Sequence, residues 1–179
     1  MKKISIISTS IRSGSNSELL AQSFLKGAKE AGKDVEFITL KDKDINFCRG
    51  CMACQKIKRC VINDSANEIT EKISNSEIIV WATPIYYYST SGQLKTMIDR
   101  ANSLFVKDNK FKEVYLLCTA AEEEKEVADG ARKIIQGWVD CFEGVEFVKT
   151  IFVGGVNEPN AIKDSQGLLE AYKLGLSIN

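Results

Sequence analysis

Cys48, Cys51, Cys54 and Cys60 fall within thirteen residues, spaced C-x2-C-x2-C-x5-C. Thiolates are the ligands of iron–sulfur clusters, and three at intervals of three residues can wrap a cubane while the fourth arrives from a slightly longer loop. The run is near the bacterial ferredoxin spacing, but five residues rather than three precede its last cysteine, and Val61 stands where that motif has proline. Other occupancies fit the same residues. Four thiolates satisfy tetrahedral zinc, although zinc ligands more often come as two short pairs set well apart, and the cysteines can also be metal-free. Arg49, Lys56, Lys58 and Arg59 are interleaved with the thiols. Around an anionic four-thiolate centre they would raise its potential, and as a basic collar they would dock an acidic electron carrier. The plainer reading is a solvated charged face.

A second stretch, Ser8-Thr9-Ser10-Ile11-Arg12-Ser13-Gly14-Ser15-Asn16-Ser17, offers hydroxyls and free N–H groups at the start of a helix, with a forked cation beside them. That composition builds an anion cradle suited to phosphate. Neither G-x-G-x-x-G nor G-x4-G-K-[ST] is present, and Ser15, Asn16 and Ser17 could simply cap the helix. Position decides, because doubly wound sheets bind ligands where their first strand ends. In a third stretch, Thr83-Pro84-Ile85-Tyr86-Tyr87-Tyr88, three consecutive tyrosines cannot all point inward from a loop. They press on a planar heterocycle such as a flavin, whose pyrimidine edge the loop amides would bond, or pack a subunit interface, and the two readings do not exclude each other. Glu122, Glu123 and Glu124 read as favourable charges opening the fourth helix, or as groups that lower the potential of a flavin at the same sheet edge. Cys118 and Cys141 read as buried packing residues, and no side chain reads as a general acid or base, so no catalytic residue is assigned.

These residues need a frame that gathers them. Strand-like and helix-period segments alternate, the pattern of a parallel sheet covered on both faces. Strands are expected over 3–8, 35–40, 77–82, 113–118 and 145–153, and helices over 16–31, 64–74, 92–104, 125–141 and 161–176. Leu19, Leu20, Phe24, Leu25 and Ala28 stripe the first helix, which should stop at Gly32; Asp64 or Ser65 should cap the second. The expected fold is flavodoxin-like, a doubly wound five-stranded parallel sheet with helices on both faces, forming a single domain over 1–179. Residues 41–63, which carry the cysteines, are its one long irregular stretch, and such loops in compact domains are usually functional.

Composition narrows the function classes. The net charge of zero favours neither nucleic acid nor an anionic membrane as partner. No apolar run approaches the ~20 residues that span a bilayer, and Met1-Lys2-Lys3 leads straight into a strand pattern, so a cytoplasmic protein is expected. In that reducing compartment six cysteines read as ligands, catalytic thiols or buried groups rather than disulfides. The chain has no histidine, which removes Ser-His-Asp and Cys-His catalysis, His-bearing zinc sites and Rieske ligation.

Ser10-x-Arg12 with Ser15-Asn16-Ser17, then Thr83-Pro84-x-Tyr86, then Gly92-Gln93-Leu94-Lys95-x-x-Ile98-Asp99-Arg100, resemble the NADPH-dependent FMN reductase family of flavodoxin-like proteins. With the cysteine run, the chain is similar to the iron–sulfur flavoproteins within that family. Beyond Arg100 the likeness lies only in the order of strands and helices. The resemblance implies FMN, with its phosphate at Ser10, Arg12, Ser15, Asn16 and Ser17 and its ring system against Pro84, Ile85, Tyr86, Tyr87 and Tyr88, and with Thr119 and Ala120 as further contacts. It also implies a [4Fe-4S] cluster on Cys48, Cys51, Cys54 and Cys60, and a homodimer or homotetramer that brings clusters close to flavins. The chain departs from its relatives at Thr9, where they usually have glycine, and over 118–124, where they often place a glycine-bearing flavin loop. The expected function is a flavin-dependent oxidoreductase moving electrons between a reduced donor, a ferredoxin-like protein or NAD(P)H, and an acceptor. The alternatives are an NAD(P)H-dependent FMN or quinone reductase without a cluster, and a zinc-bearing interaction module with a vestigial flavin site.

Overall fold

The computed structural model describes residues 2–179; Met1, the first residue of the expected domain, lies outside the described residues. Strands β1 (Lys3–Ser8), β2 (Asp34–Thr39) and β3 (Ile78–Tyr86) are joined by helix α1 (Asn16–Glu30), the short α2 (Ala53–Ile57) and α3 (Ser65–Ser74). A two-residue strand β4 (Ser89–Thr90), α4 (Gly92–Arg100), β5 (Glu113–Thr119), α5 (Asp129–Val139), β6 (Glu146–Val153) and α6 (Gln166–Leu176) complete the chain. The parallel sheet runs β2-β1-β3-β5-β6, the expected flavodoxin-like frame, and β4 turns back antiparallel on β3.

Period-two alternation divides the core. Ile4 and Ile6 of β1 with Ile78 and Val80 of β3 pack under α1 and α6, while Ile7, Ile79 and Trp81 pack on the other face under α3, α4 and α5. Helix α1 sits unusually close to α6. A Cβ on Gly27 would fall 2.0 Å from the Tyr172 carbonyl oxygen, and one on Gly175 would fall 2.2 Å from that of Phe24, so each glycine admits the other helix's backbone.

Several boundaries differ from expectation, and each has a local cause. Strand β3 continues past Ala82 through Pro84 to Tyr86 rather than giving way to a loop. Its pairing with β1 ends at Ser8 and Ala82 while pairing with β5 continues to Pro84 and Thr119, so Pro84 occupies a stretch with one open side, where a missing N–H costs no ladder bond. The tyrosines then form a two-residue hairpin turn rather than a long loop, with Tyr86 opposite Ser89 and Ile85 opposite Thr90. Helix α4 stops at Arg100 and continues as a 3-10 turn over Asn102–Val106. Ahead of α5 lies a 3-10 turn, Lys125–Ala128, so Glu122 to Glu124 precede the helix instead of opening it. Gly155 N–H bonds the Glu122 carbonyl at 3.1 Å and holds that stretch against the end of β6. Another 3-10 turn, Ala161–Asp164, replaces the expected start of the last helix, which Ser165 caps. Cys118 is buried as expected, and burial pushes its thiol up to about 12. Cys141 is exposed, because it falls beyond the last turn of α5, where its thiol donates to the Gly137 carbonyl.

Residues 41–63 are irregular apart from α2, and a buried ion pair anchors them. Asp64, the N-cap of α3, accepts both arms of the Arg100 guanidinium at 2.6 and 2.8 Å, and both side chains are essentially inaccessible to solvent. The same guanidinium donates to the carbonyls of Asn46 (2.7 Å) and Ile62 (3.2 Å), so a single side chain grips the cysteine loop at both ends.

Two predictions follow from these contacts. Burial alone would raise the Asp64 pKa, but the Arg100 fork, the Asn46 backbone and side chain and the Ala66 N–H together lower it to about 2. A carboxylate depressed in the folded state stabilises above its unfolded pKa and loses that contribution as the pH falls from ~4 towards 2, here on the order of 2 kcal/mol. Urea unfolding of the wild type and Asp64→Asn across that window should therefore converge in acid; a gap that stays constant would contradict the assignment. The second concerns the hairpin. Tyr87 and Tyr88 both have positive φ, 47° and 60°, in a turn of the kind that favours Asn-Gly. The double change Tyr87→Asn with Tyr88→Gly should raise stability by about 1–3 kcal/mol in the same assay. Unchanged or lower stability would mean that tyrosine packing outweighs the backbone cost.

Candidate functional site

The carboxyl ends of β1, β3 and β5 open into a cleft of about 490 Å3. Of the twelve residues expected to contact a cofactor, eleven line it: Ser10, Arg12, Ser15, Asn16, Pro84, Ile85, Tyr86, Tyr87, Tyr88, Thr119 and Ala120. Ser17 does not. It is fully buried, and its hydroxyl bonds Ser15 Oγ at 3.1 Å.

One wall is the entry to α1. Ser15 caps the helix by accepting from the Glu18 N–H, and first-turn N–H groups that a helix cannot satisfy internally are donors for an anion. Asn16 lines the cleft and its side chain has a second task. Its amide nitrogen donates to the carbonyls of Val156 and Glu158, and its Oδ1 accepts from the Ile162 N–H, so its side chain holds the segment after β6 against the cradle. Arg12 reinforces that seam by donating to the Asn157 carbonyl at 2.7 Å, yet its side chain stays half exposed. Thr9 fits where a glycine was expected because its hydroxyl has work there. It donates to the Ala82 carbonyl and bonds Ser91 Oγ, each at 3.0 Å; Ser91 in turn caps α4 and donates its N–H to Thr83 Oγ1. Three hydroxyls thus lock together the ends of β1 and β3 and the start of α4.

The opposite wall is aromatic. Tyr86, Tyr87 and Tyr88 are exposed, Tyr87 fully so. Their turn rests on α5, since a Cβ on Gly130 would lie 2.1 Å from the Tyr88 carbonyl oxygen. At the floor, Ala120 donates to the Val153 carbonyl and accepts from the Val156 N–H, so its backbone belongs to the β5–β6 seam and only its surface faces the cleft. Glu122, one of the three acids set near the sheet edge from sequence, also lines the cleft, as do Gly14, Ala121, Val127, Val156 and Asn157, which were not named there as contacts. Val156 and Asn157 follow the end of β6, so extending the strand-end rule to the last strand would have found them.

All four clustered cysteines line a second, much smaller recess, with about 20 Å3 of free volume, beside Arg100 and Asn102. Cys48 and Cys51 are exposed, while Cys54 and Cys60 are half-buried. Two N–H donors already face sulfur: Gly50 N–H to Cys48 Sγ at 3.4 Å and the Asn102 amide to Cys54 Sγ at 3.3 Å. Among the described residues no three histidine, cysteine or acidic side chains converge as a preformed metal-ion site. The donor set nevertheless fits a thiolate-ligated centre: four thiols around one recess, with N–H groups and a buried cation at its wall. The loop departs from ordinary backbone geometry here, with Gly50, Met52 and Lys58 all at positive φ. Phe47, Met52, Ile57 and Val61 expose apolar surface around it.

With this geometry the comparisons with known proteins agree. An iron–sulfur flavoprotein of Methanocaldococcus jannaschii is 37% identical over 102 residues, which cover 57% of this chain and 53% of that protein, about half its length. A Bacillus subtilis protein named as an NAD(P)H-dependent FMN-containing oxidoreductase is 30% identical over 184 residues, covering 96% of each chain. Among solved structures, an NAD(P)H:quinone oxidoreductase from Methanothermobacter marburgensis superposes with a TM-score of 0.76 over 98% of this chain and 94% of its own, at 18% identity, a likeness of fold. The model of the NADPH-dependent FMN reductase family matches residues 2–143, most of the chain, and the chain belongs to that family.

Proposed function

We propose that this chain is an FMN-dependent oxidoreductase that also carries a [4Fe-4S] cluster on Cys48, Cys51, Cys54 and Cys60. It would pass electrons between a reduced donor, a ferredoxin-like protein or NAD(P)H, and an acceptor. The observation that carries this reading is the pairing of a phosphate-type cradle and an aromatic wall in one strand-end cleft with four thiols around one recess of the same molecule. The M. jannaschii relative's name supports the cluster, and the B. subtilis relative's name supports FMN and a nicotinamide donor.

When bound, FMN supplies both hydride and single-electron chemistry, and an iron–sulfur centre carries electrons one at a time. The chain's own residues position and shield. The α1 entry with Ser10, Ser15 and Arg12 receives a phosphate, while Pro84 to Tyr88 present a flat wall to a ring system. Cys118, held protonated by burial just behind the cleft, is no nucleophile. Exposed Tyr87 and the apolar surface around the cysteine loop suit contact with a second copy of the chain in a homodimer or homotetramer. Six free thiols suit a reducing cytoplasm, and no described helix is long and apolar enough to cross a membrane. A second reading, an NAD(P)H-dependent FMN or quinone reductase whose cysteine loop is empty, is favoured by the end-to-end match to the B. subtilis protein.

Anaerobic purification followed by a visible spectrum and assay of iron, sulfide, zinc and FMN per chain separates the readings. The proposal expects four iron, four sulfide and one FMN, with broad absorption near ~400 nm beneath the flavin bands. FMN without iron, persisting after reconstitution with iron and sulfide, would leave the simple reductase. Zinc in a colourless protein would refute both.

A further inference from the structure

Arg100 occupies a position where an arginine is costly. On α4 it shares the buried face with Leu94 and Met97, and its side chain has no solvent exposure. A guanidinium carries five N–H donors. Four meet oxygens: those of Asn46 and Ile62 in the backbone and both carboxylate oxygens of Asp64. The fifth, on Nε, is buried and has no partner. A buried unsatisfied donor carries a desolvation penalty that native structures seldom leave standing without a use. Arg100 is also one of the residues lining the recess that holds Cys48, Cys51, Cys54 and Cys60.

We propose that Arg100 is a positioning residue for the cysteine-bound centre, clamping both ends of the loop through Asn46, Ile62 and Asp64 and reserving its Nε–H for the Cys60 sulfur. The proposal rests on the cluster reading above and extends it to a residue that reading leaves out. Cys60 and the Arg100 guanidinium line the same small recess. Gly50 N–H at Cys48 and the Asn102 amide at Cys54 already play the corresponding part for two other thiols. An N–H donor and a fixed positive charge at a ligand sulfur stabilise the more negative, reduced state of an anionic centre, which raises its reduction potential. Lys56, Lys58 and Arg59 contribute charge from the surface, where water screens it; the Arg100 charge is paired with Asp64, so what this residue offers a ligand sulfur is chiefly its directed Nε–H.

The test uses the full-length, cluster-loaded protein. Arg100→Lys keeps a cation for Asp64 but removes the fork and the Nε–H. Mediated potentiometry followed by electron paramagnetic resonance should show the cluster of this variant at least tenfold harder to reduce in equilibrium constant, about 59 mV lower for a one-electron couple, with an altered reduced-cluster signal. FMN content and cooperative unfolding report whether the variant has folded. Should it not fold, the double change D64N/R100M takes its place: it removes both buried charges together, strands neither, and leaves asparagine as a competent cap for α3. A folded variant whose cluster keeps the wild-type potential and signal overturns the role of Arg100 and leaves the cluster reading intact. A wild-type chain that takes up no iron overturns both.

Discussion

A parallel sheet buried on both faces leaves little room for chemistry except along the edge where its strands end, and that constraint organises this molecule. Ile4, Ile6, Val80 and their neighbours face one helical layer, and Ile7, Ile79 and Trp81 face the other, so neither sheet surface is open to a ligand. Chain reversals at the carboxyl ends of β1, β3 and β5 therefore carry the residues with hydrogen-bonding and stacking capacity. Those reversals are not left to wander. Thr9, Thr83 and Ser91 hold two of them to each other, and Asn16 with Arg12 holds the segment after β6 to the first.

The cysteine loop solves a different problem. Over 41–63 the chain has one short helix and few apolar residues turned inward, so burial contributes little to its order. The Asp64–Arg100 pair takes that place. Such a pair is not a large net source of stability, because desolvating two charges consumes most of what their attraction returns. Its effect is one of specificity: removing either partner strands a buried charge at a cost of about 3–5 kcal/mol, so alternative arrangements of the loop are penalised. Positive φ at Gly50, Met52 and Lys58 is consistent with a loop shaped by its thiols and its anchor rather than by backbone preference.

Much of the frame was legible because period-two and period-3.6 patterns report burial directly. The bounds of β1 agree with expectation at both ends, and Asp64 does cap α3. What was misread was decided by long-range pairing. Pro84 followed by three tyrosines has the composition of a loop, and only β5 alongside it shows that the strand continues. Glu122 to Glu124 look like the acidic first turn of a helix, but the close approach of Gly154 and Gly155, just past β6, holds them ahead of it. Ser17 belongs to the segment of the cradle but lies beneath it, bonded to Ser15, while Asn16 lines the cleft and its side chain also holds the segment after β6. Arg100 left a signal that could have been followed: with Leu94 and Met97 at intervals of three it falls on the buried stripe of α4, and a cation on such a stripe requires a partner.

Helix α4 joins these threads. Its N-cap, Ser91, belongs to the hydroxyl cluster beside the cleft, and its last residue, Arg100, belongs to the cysteine recess. Nine helical residues at 1.5 Å each set these ends roughly 13 Å apart, and a packed helix holds that separation far more firmly than a loop would. The motif Gly92-Gln93-Leu94-Lys95-x-x-Ile98-Asp99-Arg100 is therefore more than a family marker. It is a strut whose two ends are fastened, by hydroxyls at one and by a buried guanidinium at the other, to the strand-end cleft and to the cysteine recess.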